Sequence, residues 1–135
     1  MAEKLKLLVV TAEKKVVDTE ADEVSLPGEM GYLGILPGHA ALITLLKTGI
    51  LSFKNAGSSE AFALDGGFAE VSNDVVTVLA GLAERRSEID AAAAERERVA
   101  AEEEMKSVGL EALDAARARA ELATARLSVA RGPEA

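Results

Sequence analysis

GEMGYLGILPGHAALITLL, spanning Gly28 to Leu46, is the stretch whose reading decides the fold. Gly28, Gly31, Gly34 and Gly38 stand where a backbone turns tightly or passes close to another. Pro37 fixes its own φ and pushes Leu36 towards an extended conformation. The single histidine, His39, follows at once, ahead of the apolar run Ala40 to Leu46. Short strands folded over sharp corners account for this punctuation. One long helix does not.

The same pattern continues on both sides. Upstream, Leu5, Leu7 and Val9 alternate with Lys4, Lys6 and Leu8, the period of two expected of a half-buried strand. Lys14 to Thr19 is its expected partner, with Val16 or Val17 inward, and Val24 and Leu26 form a short third strand that Pro27-Gly28 ends. Downstream, Thr48-Gly49 turns the chain into Ile50 to Lys54, and Asn55 to Ser59 is a polar hairpin loop. Glu60 to Leu64 runs back, Gly66-Gly67 interrupts it, and Phe68 to Val71 resumes. After the turn Ser72-Asn73-Asp74 comes the buried-looking strand Val75 to Ala80. Many short strands at short intervals predict an antiparallel sandwich or flattened barrel.

Beyond Glu84 the character of the chain changes. Every arginine lies at or after Arg85, Lys106 is the only lysine there, and alanine concentrates in that half. The shift marks a boundary near Glu84 to Ser87, giving a β domain over about 1–84 and a helical segment over 85–135. Ser87 followed by Asp90 predicts a capped helix start. Ala91 to Lys106 is rich in strong helix formers, Val108-Gly109 stops it, and Leu110 to Val129 forms a second helix closed by Gly132-Pro133. The short connection makes an antiparallel two-helix hairpin. Ile89, Ala92, Ala93, Val99, Ala100 and Met105 are expected to line one helix. Leu113, Ala116, Ala120, Ala123, Leu127 and Ala130 are expected to line the other. Alanine buries little area, so the hairpin should open readily.

Composition excludes several functions. With 135 residues, no cysteine and one histidine, the chain offers neither disulfides nor a zinc site of ordinary ligand type. A formal net charge of −8 argues against nucleic acid. Met1 to Lys6 lacks an apolar signal core and no apolar run can span a bilayer, so membrane association is expected only through partners.

Three segments in register resemble the epsilon subunits of F-type ATP synthases. Gly34 to Leu42 is similar to the GI-x-PGH-A-x-L signature, Asp65 to Val71 to the GG-apolar-x-E-V segment, and Val75 to Ala80 to the strand that closes the β domain. The resemblance covers essentially the whole chain. It implies a non-catalytic central-stalk subunit, with an N-terminal β-sandwich clamping the gamma shaft to the membrane rotor ring. Proton-driven rotation of the ring would then reach the catalytic alpha and beta subunits. It further implies a C-terminal hairpin that extends and inhibits ATP hydrolysis. Lacking a transit sequence, the chain is expected to be bacterial or plastid-encoded, working at the cytoplasmic face of the plasma (inner) membrane.

Carried over by position, the resemblance assigns Glu29, Met30 and Tyr32 to the ring-contact loop, where family members often carry an acidic residue in place of Tyr32. Gly34, Pro37, Gly38 and His39 form the signature turn, read as structural, with His39 hydrogen-bonding inside the corner. The family's ATP-binding segment, [IL]-D-x-x-R-A, is matched at Ile89, Asp90 and Ala94, with Arg126 matching a second-helix arginine. Ala93 stands where the motif has arginine, and Leu122 where a companion arginine is expected. Each missing cation removes charge-assisted bonds of about 1.5–3 kcal/mol. ATP binding is therefore expected to be weak or absent, and no cofactor is expected. Two alternatives are weaker. A free-standing ATP sensor would need the arginine missing at position 93. A hydrolase using His39 would need a nucleophile turn such as Gly-x-Ser-x-Gly, which is absent.

Overall fold

The computed structural model describes residues 3–132. Eight strands come first: β1 (Leu5–Val10), β2 (Lys15–Ala21), β3 (Glu23–Gly28), β4 (Gly31–Ile35), β5 (Leu42–Leu46), β6 (Gly49–Asn55), β7 (Ser58–Ser72) and β8 (Val75–Arg85). A 3-10 turn at Arg86–Glu88 leads into α1 (Ala91–Met105) and α2 (Leu110–Arg131). The strands form a β-sandwich in which the order β2-β1-β8-β7-β5-β3-β4 is closed by β6 pairing with both β3 and β7.

Alternation along each strand sends one set of side chains inward. Leu5, Leu7 and Val9 of β1, Val24 and Leu26 of β3, Leu51 and Phe53 of β6, Phe62 and Leu64 of β7, and Val76 and Val78 of β8 meet in one core. In β2 it is Val17 that is buried, with Val16 packed at the edge of the core.

Two features depart from a simple antiparallel reading. β1 and β8 pair in parallel, with Leu7 opposite Val76, while every other pairing is antiparallel. A parallel neighbour requires a long crossover, and β2 to β7 supply it. Gly66-Gly67 does not end a strand either: β7 runs through it, bent, with Gly66 at φ +70° and Gly67 at φ +115°. Before the bend β7 pairs with β6, after it with β5, and β8 follows along both halves. A Cβ on Gly67 would fall 2.0 Å from the Leu79 carbonyl oxygen, so side chains are excluded where the sheet changes partner.

The hairpin corrects two further expectations. Asp90, not Ser87, is the N-cap of α1 and accepts from the Ala93 N–H at 3.0 Å; Ser87 lies in the preceding turn. The buried residues of α1 are Ala94 and Ala101, with Ile89 and Met105 half-buried, whereas Ala92, Val99 and Ala100 face solvent. Alanine is so frequent in α1 that it does not single out a face, and interhelical ion pairs accompany the packing. Glu97 and Glu104 of α1 both reach Arg119 of α2, and Glu95 reaches Arg131. On α2, Ala116, Ala120, Ala123 and Leu127 are buried as expected, and Ala130 is half-buried. Ala125 and Val129 are buried as well, against Ala63 of β7. Gly132 (φ +84°) ends α2; Pro133, the other expected stop, lies outside the described residues.

Candidate functional site

Three surfaces and one corner matter for function. The first is the β3–β4 hairpin. Gly28 pairs with Gly31, and a Cβ on Gly28 would sit 2.8 Å from the Gly31 carbonyl oxygen. The tight turn projects Glu29 and Met30, and Met30 is 99% exposed. The loop is braced from below: the Glu29 N–H donates to the Leu45 carbonyl at 3.0 Å and the Lys47 N–H to the Pro27 carbonyl at 2.9 Å. Tyr32 is turned elsewhere. Its hydroxyl oxygen accepts from the Ile50 N–H at 2.9 Å, and its ring lines a cleft shared with Thr124 and Ala125 of α2. The structure thus gathers Glu29 and Met30 at the tip and uses Tyr32 to tie that hairpin to β6.

The signature turn sits at the far end of β4. The His39 N–H bonds back to the Leu36 carbonyl at 3.1 Å across Pro37-Gly38, with Gly38 at φ +89°. The Gly38 N–H donates to the Asp74 carboxylate at 2.7 Å, joining this corner to the β7–β8 turn. Gly34 lies within β4 opposite Ser25. His39 Nδ1 faces the Ala40 carbonyl oxygen at 2.8 Å, so the ring is spent on its own loop. Among the described residues no cluster of three His, Cys, Asp or Glu side chains could hold a metal.

The second surface was not anticipated from the sequence. Leu45, Phe68 and Leu79 stand side by side across β5, β7 and β8 on the outer face, with Ile43 one step along β5. Ile43 is 73% exposed and Leu45 57%. The run Val75–Ala80 reads as a buried strand. Here one face fills the core and the other lies open, as an unpartnered apolar sheet surface does at an interaction site.

The third surface is the root of the helical hairpin. It brings Ile89, Asp90 and Arg126 together in one cleft of about 330 Å³, with Ala93 and Ala94. Glu84, Glu88, Asp90 and Glu97 line the same cleft, so carboxylates outnumber its lone guanidinium. Arg126 is also engaged: its Nε donates to Glu84 Oε1 at 2.7 Å and its Nη2 to Oε2 at 3.1 Å. Glu88 takes the Arg85 N–H, which holds its carboxyl below the usual glutamate range. Asp90 caps α1. The one cation lining the cleft is thus already bonded to a carboxylate, and the other charged side chains lining it are acidic.

Residues 4–86 match the family described as ATP synthase, Delta/Epsilon chain, beta-sandwich domain. The ATP synthase epsilon chain of Citrifermentans bemidjiense is 46% identical over 108 residues, covering 80% of this chain and 78% of that one. That of Geotalea daltonii is 47% identical over 111 residues, covering 82% and 80%. Among solved structures, a chain of the Euglena gracilis mitochondrial ATP synthase, OSCP/F1/c-ring, superposes with a TM-score of 0.81 at 20% identity, covering 90% of this chain and 78% of that chain. A chain of the Tetrahymena thermophila mitochondrial ATP synthase central stalk/c-ring gives 0.66 at 17%, covering 93% and 98%. At these identities the two structures speak for the fold alone.

Proposed function

This chain belongs to the ATP synthase delta/epsilon family, and from that premise we propose how it works as a non-catalytic subunit of a rotary ATP synthase. The β-sandwich is the coupling piece. Its outer face of Ile43, Leu45, Phe68 and Leu79 docks on the gamma shaft, because an aromatic and three branched aliphatics on a rigid sheet form a dry contact that transmits torque. The Glu29-Met30 tip presses on the polar loops of the rotor ring, so that proton-driven rotation turns ring, sandwich and shaft together. The open apolar face is the observation that carries this reading.

Residues 85–135 act as a brake. The hairpin lies on β6 and β7 through small residues, and once released it can extend towards the catalytic alpha and beta subunits and oppose hydrolysis. ATP does not hold it down: the acidic cleft and the engaged Arg126 support weak or absent nucleotide binding. No helix among the described residues is long and apolar enough to cross a membrane. We place the subunit at the cytoplasmic face of the bacterial plasma membrane, held there by its partners.

The test uses a cognate catalytic sector stripped of this subunit. The full chain and a chain stopped after Glu88 are added back, the latter keeping all of β8, while gamma binding and ATP hydrolysis are followed. Both chains are expected to bind gamma, and only the full chain to slow hydrolysis. Loss of gamma binding in Phe68→Asp, with the fold intact, would support the docking face; unchanged binding would remove it.

A further inference from the structure

Glu84 and Arg126 lie 42 residues apart in sequence and meet in a two-pronged bond, with side chains only 25% and 28% exposed. Glu84 is the cross-strand neighbour of Ala63, the sheet residue on which Ala125 and Val129 of α2 rest. The pair therefore stands beside an apolar contact that fastens the hairpin to the sandwich. That contact is made of Ala63, Ala125 and Val129, with Ile50, Ala61 and Ile89 at its margin, and small side chains give it little area. α1 packs on α2, and α2 in turn lies on β6 and β7. A second polar tie lies one turn along, where Arg86 Nε donates to the Ala130 carbonyl at 3.0 Å near the C-terminus of α2.

We propose that the Glu84–Arg126 pair is the latch that keeps the hairpin on the sandwich, and that ionic strength rather than nucleotide sets its release. This inference rests on the reading of the hairpin as a mobile brake and specifies what holds it. Two parallel N–H···O bonds between a guanidinium and a carboxylate have a fixed geometry, and Glu84 sits on a sheet that stays in place when α2 leaves. Partial burial strengthens the pair over an open surface bridge, while its remaining exposure lets salt screen it. A nucleotide gains nothing at this root: its phosphates would have to displace Glu84 from Arg126 beside Glu88, Asp90 and Glu97.

The absence of cysteine permits the test on the full chain. A donor–acceptor dye pair on Lys47→Cys and Ser107→Cys reports the hairpin tip against the sandwich, since both sites lie outside the latch. Adding salt is expected to open the hairpin severalfold, and millimolar ATP to leave it unchanged. Glu84→Gln, which keeps shape and removes charge, should open it about tenfold at low salt and abolish most of the salt response. Arg126→Gln should reproduce that effect. The exchange Glu84→Arg with Arg126→Glu should restore closure, which separates a latch from mere damage to folding.

If Glu84→Gln leaves the closed population and its salt response unchanged, or if ATP closes the hairpin, the latch is wrong. The brake is judged separately, by hydrolysis in the reassembled complex. Opening by Glu84→Gln without any change in inhibition keeps the latch and removes the brake. Unchanged opening with inhibition intact does the reverse.

Discussion

The sandwich and the hairpin are stabilised by different means. In the sandwich, Leu5, Leu7, Leu26, Ile35, Leu51, Phe62 and Leu64 are essentially inaccessible, and the order of strands leaves few alternatives for them. In the hairpin the buried set is chiefly Ala94, Ala101, Ala116, Ala120, Ala123 and Ala125, and ion pairs from Arg119 and Arg131 also join its helices. Apolar burial scales with area, and a buried alanine contributes a fraction of what a buried leucine does. A subunit that transmits torque needs a stiff body, and a brake needs a part that lets go. On the reading proposed above, one chain holds both because core chemistry changes near Glu84.

The sharpest break of this contrast is a core truncation. Leu64→Ala should cost about 2–5 kcal/mol in denaturant unfolding followed by strand signals, because Leu64 is fully buried in β7. A cost no greater than that of a hairpin mutation would mean that the two regions are not differently built. Next comes the α1 cap. Asp90→Ala should cost about 1 kcal/mol, seen as faster amide exchange in α1 while sandwich amides keep their protection.

Acid gives a smaller, graded separation. Arg98 bonded to Glu95 holds that carboxyl below its ordinary 4.5, and the Arg85 N–H does the same for Glu88. A carboxyl whose folded pKa is depressed lends stability above the unfolded value and loses it as pH falls through the folded one. In the sandwich Lys15 and Lys4 lower Asp18 and Asp22 from 3.8 in the same way. Both regions should therefore lose stability in acid, the hairpin from below about pH 4.5 and the sandwich from below about pH 3.8, in a titration read by the dye pair and by strand signals. Simultaneous loss of both would argue for one cooperative unit. The smallest effect is expected at the tip: Met30→Ser should change stability by less than about 0.5 kcal/mol yet weaken ring binding, since Met30 is 99% exposed.

Much of this was legible in the chain. Alternation in Leu5 to Val9 and in Ile50 to Lys54 exposes which face is buried, because a strand's period of two maps directly onto inside and outside. The Pro37-Gly38 corner could be read because its φ requirements admit few other residues. Family spacing singled out Ile89, Asp90 and Arg126, and the structure sets the three around one cleft. What was misread failed for stated reasons. In α1, alanine at too many positions leaves the helix without a preferred face. In Val75 to Ala80, an apolar run does not tell a strand covered twice from one with an open face.

The sequence alone determined the class of fold, the tight corners and the change of core chemistry near Glu84, since these depend on neighbours a few positions apart. The tertiary structure decided the parallel β1–β8 pairing, the bend that hands β7 from β6 to β5, the open face of Leu45, Phe68 and Leu79, and the bond between Glu84 and Arg126. Each of these joins residues far apart along the chain. Local propensity carries no information about such partners; they are fixed when the whole sandwich closes and only one arrangement buries its core.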